Sequence, residues 1–197
     1  MKIALIRHGA TVWNTQGRIQ GRTDIPLSSA GMEEMARMAP PQGFANARAY
    51  TSPLLRARQT AELLGLKNAK ADDRLAEHHW GRWEGLTNAQ ILSDDGDDAF
   101  LRAGTAYDFC PPDGEPTRDF VARVADFLRH VAREESDAIA VTHRGVMRSA
   151  YALATGWAMT ESMPSEMDVS RALILEMGRQ GLPTIAAMNI PLNTKMV

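Results

Sequence analysis

The sequence carries a single cysteine, Cys110, so neither an internal disulfide nor a cysteine-based metal cluster can form within it. It has no apolar run near the ~20 residues that a membrane-spanning helix needs. Met1-Lys2 leads straight into a strand pattern rather than a signal peptide, so a cytoplasmic protein with no membrane partner is expected. An excess of one charge is missing too. The 22 Lys and Arg are opposed by 24 Asp and Glu, net −2, which gives no global attraction to nucleic acid or to an acidic membrane. Internal repeats and low-complexity segments are lacking. What remains is 197 residues, 44% of them apolar: enough for one well-cored domain over the whole chain, and too few for a second core. A basic site in such a protein is local, and it points to a small anionic ligand.

The segment Leu5-Ile6-Arg7-His8-Gly9-Ala10-Thr11 has that character. Lys2-Ile3-Ala4-Leu5-Ile6 reads as a strand buried on both faces, and it stops at a cation, an imidazole and a glycine. The C-terminal end of a buried strand is the usual place for an α/β active site. Side chains alternate along a strand, so Arg7 and His8 converge on one ligand only if the strand ends there, which Gly9 permits. Two readings stand: an anion site with a nucleophilic or acid/base histidine, or a strand end with two exposed polar residues. A second apolar strand, Asp137–Thr142, stops in the same way at His143-Arg144-Gly145. In a parallel sheet both ends lie at one edge, where His8 and His143 can meet.

The remaining chain supplies helices and loops between these strands. Residues 11–24 form a polar loop of the kind that carries ligand contacts. Ser28 reads as the N-cap of a helix with Met32, Met35 and Met38 on one side as core filler, stopped by Pro40-Pro41. A strand over Ala47–Thr51 precedes a helix from Leu54 to Leu64, with Ser52 as N-cap, Pro53 at the first helical position and Gly65 as terminator. Arg56 lies near that helix's N-terminus and is a candidate anion ligand, while Arg58 reads as surface. Residues 77–85 pack two carboxylates, two histidines and two tryptophans together. Adjacent His78 and His79 rarely face the same way, so no metal site is expected, and Trp80 and Trp83 read as packing. Residues 87–102 are weakly helical around an acidic turn, Asp94–Asp98. Phe120 to Val131 shows the clearest helical spacing, and Met147 to Thr155 reads as another helix. Two closing strands, Ala172–Glu176 and Thr184–Met188, are joined by a turn over residues 178–181. Strands alternating with helices predict a three-layer α/β/α domain with a mostly parallel sheet.

Taken in order, a series of motifs resembles the histidine phosphatase, or phosphoglycerate mutase-like, superfamily over about residues 2–150. They are Arg7-His8-Gly9, Trp13-Asn14, Gln20-Gly21, Asp24–Ser28 with Gly31, Ser52–Ala61, Leu75-Ala76-Glu77, Gly81–Gly85, Pro112–Glu115 and Thr142-His143. The resemblance implies that His8 attacks phosphorus and becomes phosphohistidine. It implies that Arg7, Arg56 and His143 hold the phosphoryl oxygens, with Asn14 and Gln20 as further substrate contacts. Glu77 matches the family's proton donor, and Glu84 its structural acceptor. Such chemistry needs no metal or cofactor, because arginine matches phosphate with a planar fork. Two departures stand out: Arg144 where the family usually has glycine, and His78-His79 after the glutamate. Arg144 is a candidate contact for a second anionic group or a solvated residue. The short stretch from Leu86 to Pro111 and the short tail favour a phosphatase of a small phosphorylated metabolite, such as a sugar phosphate or nucleoside-like phosphate. A mutase and a non-catalytic phospho-ligand-binding protein are the alternatives, with a monomer or homodimer expected.

Overall fold

The computed structural model describes residues 1–160, 164–178 and 181–195. In chain order its elements are β1 (Lys2–Arg7), α1 (Val12–Thr15), α2 (Ser29–Ala36), β2 (Met38–Ala39), β3 (Arg48–Thr51), α3 (Leu55–Leu63) and β4 (Lys70–Ala71). Then follow α4 (Asn88–Asp95), α5 (Ala99–Arg102), α6 (Thr117–Ala132), β5 (Ala138–Thr142), α7 (Arg144–Thr155), β6 (Ala172–Met177), β7 (Pro183–Ile190) and β8 (Asn193–Thr194). Six strands form one sheet in the order β4-β3-β5-β1-β6-β7. The first four in that order run parallel, and β6 and β7 close the sheet as an antiparallel hairpin. The expected mostly parallel three-layer α/β/α architecture is what forms.

β1 shows why its sequence is continuously apolar. Ile3 and Leu5 pack with Phe120, Phe127 and Met147 of α6 and α7. Ala4 and Ile6 face the other way, onto Ala57, Ala61 and Leu64 of the α3 layer. A strand with helices on both faces has no side on which a polar residue is cheap. A smaller cluster around Trp83, Ile91 and Ala99 roofs the C-terminal edge of the sheet. Among the described residues no helix is long and apolar enough to cross a membrane.

Three local expectations are corrected. α3 begins at Leu55, and its N-cap, Leu54, makes no side-chain cap, so Ser52 and Pro53 lie before the helix. The reason is that Ser52 is still in the sheet: its N–H donates to Val141 O at 2.9 Å, and its hydroxyl meets the Leu54 N–H and the His143 ring rather than an N–H inside the helix. Met38 does not share the helix face of Met35, because α2 ends at Ala36 and Met38 pairs with Thr194 in the β2–β8 ribbon. Met32 is 40% exposed and Met35 only 6%, so a single methionine of the three is α2's core residue. Residues 179 and 180 of the turn expected between the closing strands lie outside the described residues.

Candidate active site

β1 and β5 are neighbours in register, with Arg7 opposite Thr142. The residues that follow them are therefore also neighbours, and the His8 and His143 rings sit 5.1 Å apart. β1 ends where the convergence of Arg7 and His8 requires. His8 N–H still bonds Thr142 O at 2.9 Å, and the next N–H, of Gly9, leaves the ladder for Thr60 Oγ1 at 3.0 Å. Gly9 is needed for close packing, since a Cβ there would lie 2.7 Å from the Met35 side chain. His8 Nδ1 lies 2.7 Å from the Gly9 carbonyl. A carbonyl only accepts, so Nδ1 carries the proton and Nε2 keeps a lone pair. Burial, then the nearby Arg56 and Arg7, push the His8 pKa down to about 3, so the ring is neutral at pH 7.

His143 is fully buried, and burial, followed by His8, Arg56 and Arg7, holds its pKa well below the ordinary value. Its Nε2 pairs with Ser52 Oγ at 2.8 Å, while its Nδ1 is shut from solvent without a protein partner. Arg56 is fully buried as well. Its terminal nitrogens donate to Thr23 O at 3.0 Å and Gly21 O at 2.8 Å, pinning the loop after Gln20. Each keeps one further N–H, and Nε is buried without a partner, as is Arg7 Nε. The fork expected to grip a ligand is thus half engaged with backbone. Three orphaned polar atoms in one neighbourhood are unusual, and an oxyanion would supply the acceptors that the two arginine Nε–H groups lack.

Glu77 stands at the N-terminus of α7. Its carboxylate accepts from His78 N–H at 2.9 Å and Gly145 N–H at 3.1 Å. Burial nevertheless outweighs these bonds and the charges of Arg56 and Arg7, and raises its pKa above the usual carboxylate value. Arg123 of α6, which the sequence analysis does not single out, fixes the stretch of chain leading to Glu77. It donates to the Arg74, Ala76 and Glu77 carbonyls at 2.8, 2.7 and 3.0 Å and pairs with Glu115. Glu84 accepts from Arg22, Thr23 and Trp80 N–H groups at 2.8, 2.6 and 3.1 Å. Burial alone would raise its pKa, but the Thr23 hydroxyl and these N–H donors together hold it below the usual value.

A cavity of about 690 Å³ opens beside His8, and Arg7, Asn14, Gln20, Glu77 and Arg144 line it with His8. Arg56 and His143, both fully buried, do not line it. Asn14 Oδ1 accepts from Thr11 N–H at 2.9 Å, which turns its Nδ2 donor away from the backbone. His78 stacks on Phe120 with ring centroids 4.8 Å apart and bonds Glu115 O through Nε2 at 2.6 Å. His79 turns instead toward Glu84, 3.8 Å away. Among the described residues no group of three or more His, Cys, Asp or Glu is gathered as for a metal ion. Trp83 is packing, as expected, with Nε1 donating to Asp95 at 2.7 Å; Trp80 differs in also lining the cavity.

The pattern of the Histidine phosphatase superfamily (branch 1) matches residues 3–191, nearly the whole chain. The chain belongs to the histidine phosphatase superfamily. Similar superfamily members include the phosphoglycerate mutase-like protein 4 of Arabidopsis thaliana, 31% identical over 76% of this chain and 69% of that one. A 2,3-bisphosphoglycerate-dependent phosphoglycerate mutase of Porphyromonas gingivalis is 36% identical over 56% of this chain, a match spanning only 48% of the longer relative. Among solved structures, Bacillus stearothermophilus YhfR superposes with TM-score 0.81 at 29% identity, covering 94% of this chain and 95% of that one. A phosphoglycerate mutase from Thermus thermophilus superposes with TM-score 0.72 at 30% identity over 96% and 98% of the two chains. The protein is thus a phosphoglycerate mutase-like superfamily enzyme.

Proposed function

We propose that the protein hydrolyses a small phosphomonoester through a phosphohistidine on His8, without metal or cofactor. The observation that carries this is the pairing of a neutral His8, its Nε2 lone pair free, with a buried Glu77 of raised pKa in one arginine-lined cavity. In the first step an N–P bond forms at Nε2 as the P–O bond to the leaving alkoxide breaks, and Glu77 gives that alkoxide its proton. Arg7 in the cavity wall, with the buried charge of Arg56 near His8, stabilises charge on the phosphoryl oxygens, which is most of what this chemistry asks of a protein. In the second step Glu77 takes a proton from water, the oxygen attacks phosphorus and the N–P bond breaks. The cavity's opening beside His8 gives water a route to the intermediate.

The names of the mutase relatives favour a second reading, in which the phosphoryl group returns to the substrate. Substrate labelled in its phosphoryl group separates the two. The expected result is an acid-labile labelled protein, absent in His8→Ala, with label ending as inorganic phosphate. Label ending mainly in an isomeric monoester would replace hydrolysis by the mutase reaction. A turnover-competent His8→Ala would remove His8 as nucleophile.

A further inference from the structure

The cavity is charged out of proportion to the molecule that holds it. Among the described residues four arginines, Arg7, Arg18, Arg144 and Arg148, line it, and Glu77 is the only lining carboxylate, in a chain of net charge −2. Arg7 belongs to the proposed phosphoryl site. Arg18 is turned to its own loop, donating to Gln16 Oε1 and the Gly85 carbonyl. Arg144 and Arg148 are left over, one turn apart on α7 and so on the same face.

Neither is explained by the fold. Arg144 is exposed to the cavity and makes no hydrogen bond or ion pair among the described residues. It occupies the first helical position of α7, where the helix dipole disfavours a cation. Arg148 reaches Met159 O at 3.2 Å and lies over the Trp157 ring at 5.1 Å, but its Nε is shut from solvent without a partner. Two like charges four residues apart repel each other. An anion held against their outer N–H groups removes the repulsion. The cavity also has apolar lining: Trp80 and Phe109, with ring centroids 5.4 Å apart, together with Ile19 and Met159. A volume of about 690 Å³ is in the range that encloses drug-sized ligands, far more than a bare phosphate fills.

We propose that the substrate carries a second anionic group, held by Arg144 and Arg148, on an apolar or planar body that lies against Trp80 and Phe109. This rests on the phosphomonoesterase reading and names the substrate class it takes. Three probes with similar leaving groups test it: phenyl phosphate, 4-(carboxymethyl)phenyl phosphate and 1,4-phenylene bisphosphate. The wild-type protein is expected to favour the doubly anionic esters in kcat/KM by about tenfold or more, the size of a charge-assisted contact. Arg144→Gln and Arg148→Gln should each shrink that ratio by about fivefold or more, and Arg144→Glu should shift preference toward 4-(aminomethyl)phenyl phosphate. The carboxylate and bisphosphate arms tell which anion the pair prefers. A wild-type ratio near one, or variants that depress all esters equally, would overturn the inference. Calorimetric binding of the same esters to His8→Ala keeps it separate from the proposed reaction: a preference there, lost in the Arg144→Gln double variant, stands even if no ester is hydrolysed.

Discussion

At the scale of single residues, the two glutamates near the site differ in their surroundings rather than their chemistry. Glu77 is buried with two N–H donors and a raised pKa; Glu84, its side chain also nearly enclosed, has more donors and a lowered pKa. The first suits a proton donor, the second a fixed acceptor that ties Arg22, Thr23 and Trp80 together. An alkyl phosphate leaves as a strongly basic alkoxide and needs the donated proton, whereas p-nitrophenyl phosphate scarcely does. Glu77→Gln is therefore expected to lose about a hundredfold more kcat on an alkyl ester than on p-nitrophenyl phosphate, within the usual range for a general acid. Glu84→Gln should instead lower stability by about 1–3 kcal/mol through its orphaned donors and depress both substrates alike. Thermal melts and steady-state rates on the two esters check the pair; a leaving-group effect in Glu84→Gln would exchange the roles.

At the scale of elements, the site depends on how α7 starts. Its first turn brings the Gly145 N–H to Glu77 and leaves no room for a side chain there: a Cβ would stand 2.1 Å from Glu77 Oε1. Gly145→Ala must push the carboxylate off its two donors. Alanine suits a helix better than glycine by about 1 kcal/mol, so stability should hold while activity falls. A drop of about a hundredfold in kcat on alkyl esters is expected, the scale of an ångström's misplacement. An unchanged rate would mean that Glu77 does not act from this position.

At the scale of the whole molecule, pH should act on stability through buried histidines. His8 has a folded pKa of about 3, and that of His143 is also far below 6.5, so between those limits the unfolded chain binds more protons. Stability from both is present above about pH 6.5 and is lost as pH falls toward the folded values. Glu77, with a raised pKa, acts in the opposite direction: it favours the folded state below its unfolded value and loses that contribution as pH rises. His78, also lowered by burial, acts with them, and three histidines outweigh one glutamate, so the melting temperature is expected to fall steadily from pH 7 to pH 4. His8→Asn should flatten the slope, and an equal slope in that variant would place the titration elsewhere. In the proposed reaction the positive charge offered to the phosphoryl group comes from arginine side chains, so turnover is also expected to survive exhaustive EDTA treatment. Activity lost to EDTA and restored by a divalent ion would contradict this.

Much of this was written in local pattern. Lys2–Ile6 and Asp137–Thr142 are apolar at nearly every position because helices cover both faces, and that continuity alone marks them as central strands. Their shared ending in histidine, arginine and glycine marks a site edge, and the order of motifs marks the superfamily. Adjacency is what sequence does not encode locally. Only the pairing of β1 with β5 brings the two imidazoles within 5.1 Å, although they lie far apart along the chain. For the same reason the sequence does not single out Arg123 and reads Ser52 as a helix cap. Their partners, the carbonyls before Glu77 and the ring of His143, arrive from distant segments. Protonation was decided there as well. An isolated His8 or Glu77 would titrate near its ordinary pKa, and only the assembled core, by removing water, reverses the order of the two.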